Sequence, residues 1–433
     1  MRVIFTLWIA CIVLCTSPVW AKDARQLDMA SFQTVWETIR DKHWDLKSTG
    51  VDWDQIYTKY LPKAKMATSR AEMREVIQAM IQELGQSHFN ILGEASSAAL
   101  SELEHSTPAG QARPGFTVDL IEDKVYISSL DGNGPGTKAG LRIGDEILSV
   151  RQLAMQELVE KIKAAYQESA HAPLYIKRML NQFFQGDSGE KVSLKIARKG
   201  QEEEKVTLLL TKPSGQYITL LNLPPTYYQY DSEILQGNIG YVRFNIWVPQ
   251  VKQAFESKSL PAMSGTKGMI IDLRGNGGGL GVLAISLANK LVSENGLKLG
   301  TMRNGGTEMN FPIFPQPPGY TGPLAILIDE GSASTSEIFA AGMQEIGRAR
   351  IFGVRSAGAT LPSLIEPLPN GDLFQYAMAD YISTSGKKLE GAGVIPDEAT
   401  PHTLASLARG EDAALHAAQN WIQQQTLKGD LNE

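Results

Sequence analysis

The 433-residue sequence predicts a multi-domain fold, α+β over its first half and α/β over its second. Three patterns carry that prediction. Apolar residues recur at helical spacing within 26–104, as in Phe32, Val35, Trp36 and Ile39. Strand-like runs broken by glycine-rich turns fill 114–211. Across 237–400, buried-strand runs alternate with helical stretches, the pattern of a partly parallel sheet. The length exceeds one ordinary domain, and 43% apolar with 20% charged residues suits a packed globular chain.

Residues 1–21 read as a secretory signal. Arg2 is a minimal basic start, 3–15 form an apolar core, and Val19-Trp20-Ala21 is a small-residue cleavage site. The core is too short for a comfortable membrane span. Cys11 and Cys15 both fall inside it, behind Trp8 and Leu14, which suit a lipoprotein anchor poorly. The mature chain then has no membrane anchor and no cysteine, hence no disulfide, thiol nucleophile or cysteine-bound metal. A periplasmic or secreted location is expected. Net charge is −6. Removing the signal with its single Arg2 leaves 40 basic against 47 acidic residues, which gives no electrostatic reason to seek nucleic acid or anionic membrane.

An N-terminal helical domain with a linker is expected over 22–111. Met73, Ile77, Met80, Ile81 and Leu84 share a face that stops at Gly85. A β domain follows over 112–211, with a strand at Val125-Tyr126-Ile127, turns at 131–136 and a hairpin across Gly200. Residues 155–187 within it read as a long helical insertion. The core spans 212–405, after a proline- and tyrosine-rich connector at 221–230. Its strands are expected at 239–244, 269–273, 324–328 and 349–354, and its helices at 280–292 and 337–346. Residues 406–433 close the chain as an ordinary helix.

Two stretches carry chemistry. LAILIDEGSASTSEIFAAGMQ, 324–344, is a strand, a turn holding Ser332, Ser334 and Ser336, and an amphipathic helix. A hydroxyl there meets free helix N–H groups, which suits either a cap or a nucleophile whose reaction makes an oxyanion. MIIDLRGNGGGL, 269–280, empties a strand into a loop with Gly275, Gly277, Gly278 and Gly279. Such a loop is either mobile or a place of close backbone approach to a ligand. It lacks the Gly-Lys-Ser/Thr ending of a phosphate loop. His88 follows the N-terminal helices and is either structural or a base. His43, His105, His171, His402 and His416 sit in polar or helical contexts without a partner signal.

Asp272-Leu273-Arg274-Gly275-Asn276-Gly277-Gly278-Gly279 and Ser332-Ala333-Ser334-Thr335-Ser336-Glu337 together resemble the C-terminal-processing (tail-specific) and tricorn-core serine peptidases. The resemblance implies a crotonase-like α/β peptidase core. It makes Ser334 the nucleophile, with the N–H of Thr335 and of Gly278 or Gly279 as oxyanion hole. Leu84-Gly85-Gln86-Ser87-His88 matches the tricorn-like branch, which implies His88 as base and Ser87 as its neighbour in the charge network. Glu390, shortly before Gly393-Val394-Ile395-Pro396-Asp397, falls where that branch carries its orienting glutamate. The Ser–Lys branch would need lysine at position 359, where this chain has Ala359.

Pro135-Gly136 and Ala139-Gly140-Leu141-Arg142-Ile143-Gly144-Asp145-Glu146-Ile147 resemble a PDZ domain, with Gly115-Phe116-Thr117 where the carboxylate-binding loop belongs. The resemblance implies a serine endopeptidase acting on peptides or unfolded-protein tails, without metal or cofactor. Two other readings stand beside it. One is an inactive PDZ-containing peptide binder. The other is a retinoid- or lipid-binding relative, which would show a large apolar cavity.

Overall fold

The computed structural model describes residues 19–92, 112–167, 169–213, 215–219 and 226–430. The expected signal core with both cysteines and the expected linker at 93–111 lie outside the described residues. The expected cleavage site falls within the helix Val19–Lys42.

Two further helices follow, Trp53–Met66 and Arg70–Gln82. Each starts on a side-chain cap: Gln55 N–H donates to Asp52, and Glu72 N–H donates to Ser69. The helical pattern is interrupted at Gly85. Gly85 takes φ +63°, which breaks the helical path, and Asn90–Leu92 is a strand. That strand pairs antiparallel with Leu373–Ala377, setting Ile91 opposite Phe374. The helices do not form a core of their own. Phe32, Ile39, Met73 and Ile77 pack in one cluster with Phe374 and Tyr376, which lie some 300 residues later in the chain. A buried Arg74–Asp372 ion pair at 2.6 Å closes the same seam.

Residues 116–209 form an antiparallel sheet in the order Phe116–Ile121, Lys124–Leu130, Glu146–Val150, Lys191–Ala197, Glu204–Leu209. The expected single helical insertion is two helices, Met155–Tyr166 and Ala172–Gln182. Pro173 suits the second start, since a proline is well tolerated in the first turn of a helix. Ala172–Gln182, termed the strap helix below, packs against the Phe116–Ile121 strand.

The core sheet runs Tyr230–Leu235, Ile239–Phe244, Gly268–Asp272, Leu324–Ile328, Arg350–Gly353, Glu398–Ala399. Only its first pair is antiparallel. The stretch read as a connector therefore ends in strands, Thr226–Tyr228 and Tyr230–Leu235. Helices Val282–Leu291 and Thr335–Glu345 contribute to the larger core cluster with Met269, Ile271 and Ile326. The C-terminal helix Ala413–Asp430 is more than an ordinary tail: Ala414, Ala418 and Ile422 join Tyr241, Ile270 and Phe352 in a separate cluster. No helix among the described residues is long and apolar enough to cross a membrane.

Candidate active site

Parallel strands deliver their C-terminal ends to one edge, where loops assemble the site. The three turn serines separate there by burial. Ser332 is fully buried and its hydroxyl donates to Leu273 O at 2.8 Å. Ser336 is fully buried, donates to Asn276 O and accepts from Trp247 Nε1–H. Ser334 alone of the three keeps part of its surface open. Its backbone sits at φ +57°, ψ −119°, disfavoured for a residue with a side chain and costing on the order of 1–3 kcal/mol. Among the described residues seven non-glycines have positive φ, and five of these lie in tight hairpin turns. The two that do not are Ser334 and His88.

Glu337 holds the strained serine. Its buried carboxylate accepts from Ser334 N–H at 3.1 Å, Ala359 N–H at 2.9 Å, Gly358 N–H at 2.8 Å and the Ser356 hydroxyl at 2.6 Å. Ser334 N–H also donates to Ala359 O at 2.8 Å. Burial pushes the Glu337 carboxyl up to about 7, against the pull of those donors.

The glycine loop presses against the serine. A Cβ on Gly278 would lie 2.6 Å from Ser334 Cβ and 3.1 Å from its Oγ, so only glycine fits. A Cβ on Gly279 would lie 2.3 Å from Trp247 O. Gly278 N–H already donates to Asn276 Oδ1 at 3.0 Å. Among the described residues the N–H groups of Gly279 and Thr335 have no acceptor, and the Thr335 hydroxyl donates to Gly279 O at 2.9 Å.

His88 enters from the other side. It follows the N-terminal helices and precedes the Asn90–Leu92 strand, whose pairing with Leu373–Ala377 spans the long sequence gap. Glu390 accepts the Ser87 hydroxyl proton at 2.9 Å and Ser87 N–H at 2.8 Å. Ser87 has one hydroxyl hydrogen and gives it to Glu390. The 2.7 Å contact between Ser87 Oγ and His88 Nδ1 then needs its proton on the ring. That tautomer leaves a lone pair on Nε2, the form a general base requires. Burial depresses His88 to about 4, Glu390 works against this, and Arg178 and His171 add to it. The residue as a whole nonetheless keeps part of its surface exposed.

Glu390 is not a solvated surface acid; its side chain is 15% exposed. Thr360 N–H donates to it at 2.9 Å. Thr360 adjoins Ala359, which anchors Ser334, so one turn carries both halves of the site. No hydrogen bond joins His88 to Ser334 among the described residues.

One functional neighbour carried no sequence signal. His171, grouped above with partnerless histidines, is buried with Nε2 3.3 Å from Glu390 and Nδ1 3.5 Å from Ala357 O. Burial opposes its protonation, but the Glu390 contact outweighs burial and raises its pKa. Burial would raise Glu390, yet His171 and the N–H donors hold it below the usual range. His171 caps the strap helix, three residues before Leu174. Leu174 packs with Ala333, Ala357 and Ala359. Ala359, where the Ser–Lys branch would carry its lysine, is thus buried in an apolar contact. No residue group among those described has the make-up of a metal site.

Matches to known proteins agree with this architecture. Residues 238–400 match peptidase family S41, and residues 29–82 match the tricorn protease C1 domain. Residues 238–400 thus form a peptidase family S41 domain. The chain is a serine peptidase, a hydrolase acting on peptide bonds. It is 26% identical over 408 residues to a chloroplastic C-terminal processing peptidase of Tetradesmus obliquus, covering 88% of this chain and 81% of that one. It is 24% identical over 364 residues to the carboxy-terminal processing protease CtpB of Bacillus subtilis, covering 83% and 68%. Its fold matches the photosystem II D1 C-terminal processing protease, with TM-score 0.54 and 22% identity over 89% of this chain and 98% of that one. It also matches mature CPAF, with TM-score 0.62 and 17% identity over 94% and 98%.

Proposed function

We propose that this S41 peptidase is an exported endopeptidase that cleaves peptides and the C-terminal tails of proteins with Ser334 as nucleophile and His88 as base. The observation that carries the reading is the Glu390–Ser87–His88 relay, tied through Thr360 and Ala359 to the turn that strains Ser334.

The chemistry follows from the donors. Ser334 Oγ adds to the scissile carbonyl carbon and its proton passes to His88 Nε2. The imidazolium holds Nδ1–H on Ser87, and the Glu390 charge behind Ser87 stabilises it. Thr335 N–H and Gly279 N–H receive the oxyanion; Gly278 N–H is engaged with Asn276, so Gly279 is the better second donor. His88 then gives its proton to the leaving amine, and water releases the acyl group by the same steps in reverse. The missing lysine is no obstacle, because the base comes from the N-terminal segment.

The antiparallel unit over 112–211 acts as a PDZ-like tail receptor, with Gly115, Phe116 and Thr117 as the carboxylate-binding loop. These residues line a cavity of about 660 Å³ between that unit and the core. The cavity is lined by charged groups such as Asp119, Lys177, Arg243 and Glu330, which disfavours an apolar-ligand carrier. Residues 1–21 act as the export signal.

The test is cleavage of a fluorogenic unfolded protein. Ser334→Ala and His88→Ala should each lower turnover on the order of 10⁴-fold or more with circular dichroism unchanged. Turnover that survives either change overturns the assignment.

A further inference from the structure

Three of the cations around the inter-domain cavity lie against acids, and a fourth, Arg113, has no ion pair among the described residues but stacks over the Tyr227 ring at 4.5 Å. Lys177 meets Asp119 at 2.6 Å, Asp329 at 2.8 Å and Glu330 at 3.3 Å. Arg274 meets Asp272 and Asp412, each at 2.7 Å. Arg243 lies 3.9 Å from Asp272. Arg178, next to Lys177 on the strap helix, has no hydrogen bond or ion pair among the described residues, although its side chain is exposed and lines the same cavity.

Its position is specific. Arg178 Nη2 lies 2.8 Å from the place a Cβ on Gly277 would occupy, so the glycine leaves room for the guanidinium. The next residue, Gly278, abuts Ser334. Following these contacts across one Cα–Cα step bounds the distance from the guanidinium to Ser334 Oγ at about 13 Å. An extended peptide crosses that span in about four residues. The unpaired charge also works against His88, whose basicity it lowers. A cation with neither an acid nor an aromatic ring against it, placed beside the glycine loop that abuts Ser334 and working against His88, suits an anion that arrives with the substrate.

We propose that Arg178 is a carboxylate-binding subsite, taking a substrate carboxylate within about four residues of the scissile bond through its paired N–H donors. The carboxylate comes from the free C-terminus of the chain being cut or from an Asp or Glu side chain near the cut. The first source makes the enzyme release short C-terminal fragments; the second makes it prefer acidic sequences. The inference rests on the serine-peptidase reading only for which bond is cut, since the subsite itself can be tested by binding.

The experiment uses the full chain and three peptides: one with a free C-terminus three residues beyond the cut, the same peptide amidated, and the amidated peptide with Asp at its last position. Binding is measured by fluorescence anisotropy in the Ser334→Ala background, and kcat/KM in the Ser334 enzyme. With Arg178 present, at least one carboxylate peptide should exceed the neutral amide by about 10- to 100-fold in both readouts. Arg178→Gln should bring that ratio to about 1, and Arg178→Lys should keep part of it. Preference for the free acid alone identifies the C-terminus, and equal preference for the Asp peptide identifies a side-chain subsite. A ratio near 1 with Arg178 in place, or one that survives Arg178→Gln, overturns the proposal. Failure of the peptidase reading looks different: no peptide is cut, while the binding ratio and its loss in Arg178→Gln remain.

Discussion

Two glutamates flank the turn at 356–361, and they are wired in opposite ways. Glu337 draws its four donors from Ser334, Ser356, Gly358 and Ala359, all in the peptidase core. Glu390 draws on three segments: Ser87 behind the N-terminal helices, Thr360 in the core and His171 on the strap helix. The geometry of Ser334, the proposed nucleophile, is therefore a local property of the core. The proposed base, His88, is held in place only while the N-terminal segment is docked, and His171 makes the strap helix part of its electrostatics.

The largest effect should come from Glu390→Gln. The glutamine amide offers one acceptor oxygen and turns a donor toward Ser87, so the Ser87 hydroxyl no longer fixes the His88 tautomer. We expect kcat to fall on the order of 10³–10⁴-fold, as when the orienting acid of a triad becomes an amide. Glu337→Gln should act mainly on stability. It strands at least one of four buried donors, at about 1–3 kcal/mol each, and should lower the melting temperature by several degrees. Calorimetry on both variants checks the comparison. If Glu390→Gln melts as early as Glu337→Gln, the relay is scaffolding and the contrast fails.

A smaller effect separates His171 from the catalytic chain. As the proposed base, His88 must be neutral to accept a proton, and burial depresses it to about 4. Activity should be complete above about pH 5 and fall as pH drops through 4, well below the ordinary histidine range near 6.5. His171 lowers the basicity of His88 and partly neutralises Glu390. Both influences vanish in His171→Gln, so the acid limb should move to higher pH, with kcat at pH 8 reduced less than tenfold. A pH–kcat profile reads this directly. A limb that stays in place would show that His171 serves only packing.

The contrast between the glutamates also explains what the sequence could reveal. The glycine loop is legible because close backbone approach demands glycine, whereas Ser334, Ser87 and His88 are legible only through short motifs that resemble a known family. The alternation of strands and helices fixed the α/β core. His171 and Leu174 are illegible because their partners, Glu390 and Ala359, lie about 200 residues away and the helix between them follows no motif. The pairing of Asn90–Leu92 with Leu373–Ala377 is hidden for the same reason: a three-residue strand has no pattern of its own. Gly85 could have signalled the end of the third helix, but nothing near it announces a strand on the far side of the chain.

The smallest effect tests the strap helix at its other end. The Asn181 side chain accepts from Val118 N–H at 2.9 Å and donates to Val118 O at 3.0 Å. It thus occupies one residue of the strand edge that an incoming peptide would extend. Asn181→Ala removes both bonds and uncovers that edge. Each bond contributes about 1 kcal/mol, so the melting temperature should drop by a few degrees. If tails enter as an added strand beside Phe116 and Thr117, they no longer have to displace Asn181, and KM for a long tail should fall a few-fold while a short peptide confined to the catalytic cleft is unaffected. Equal KM changes for both peptides would mean that Asn181 acts by setting the strap helix over Ser334 and not by guarding the groove.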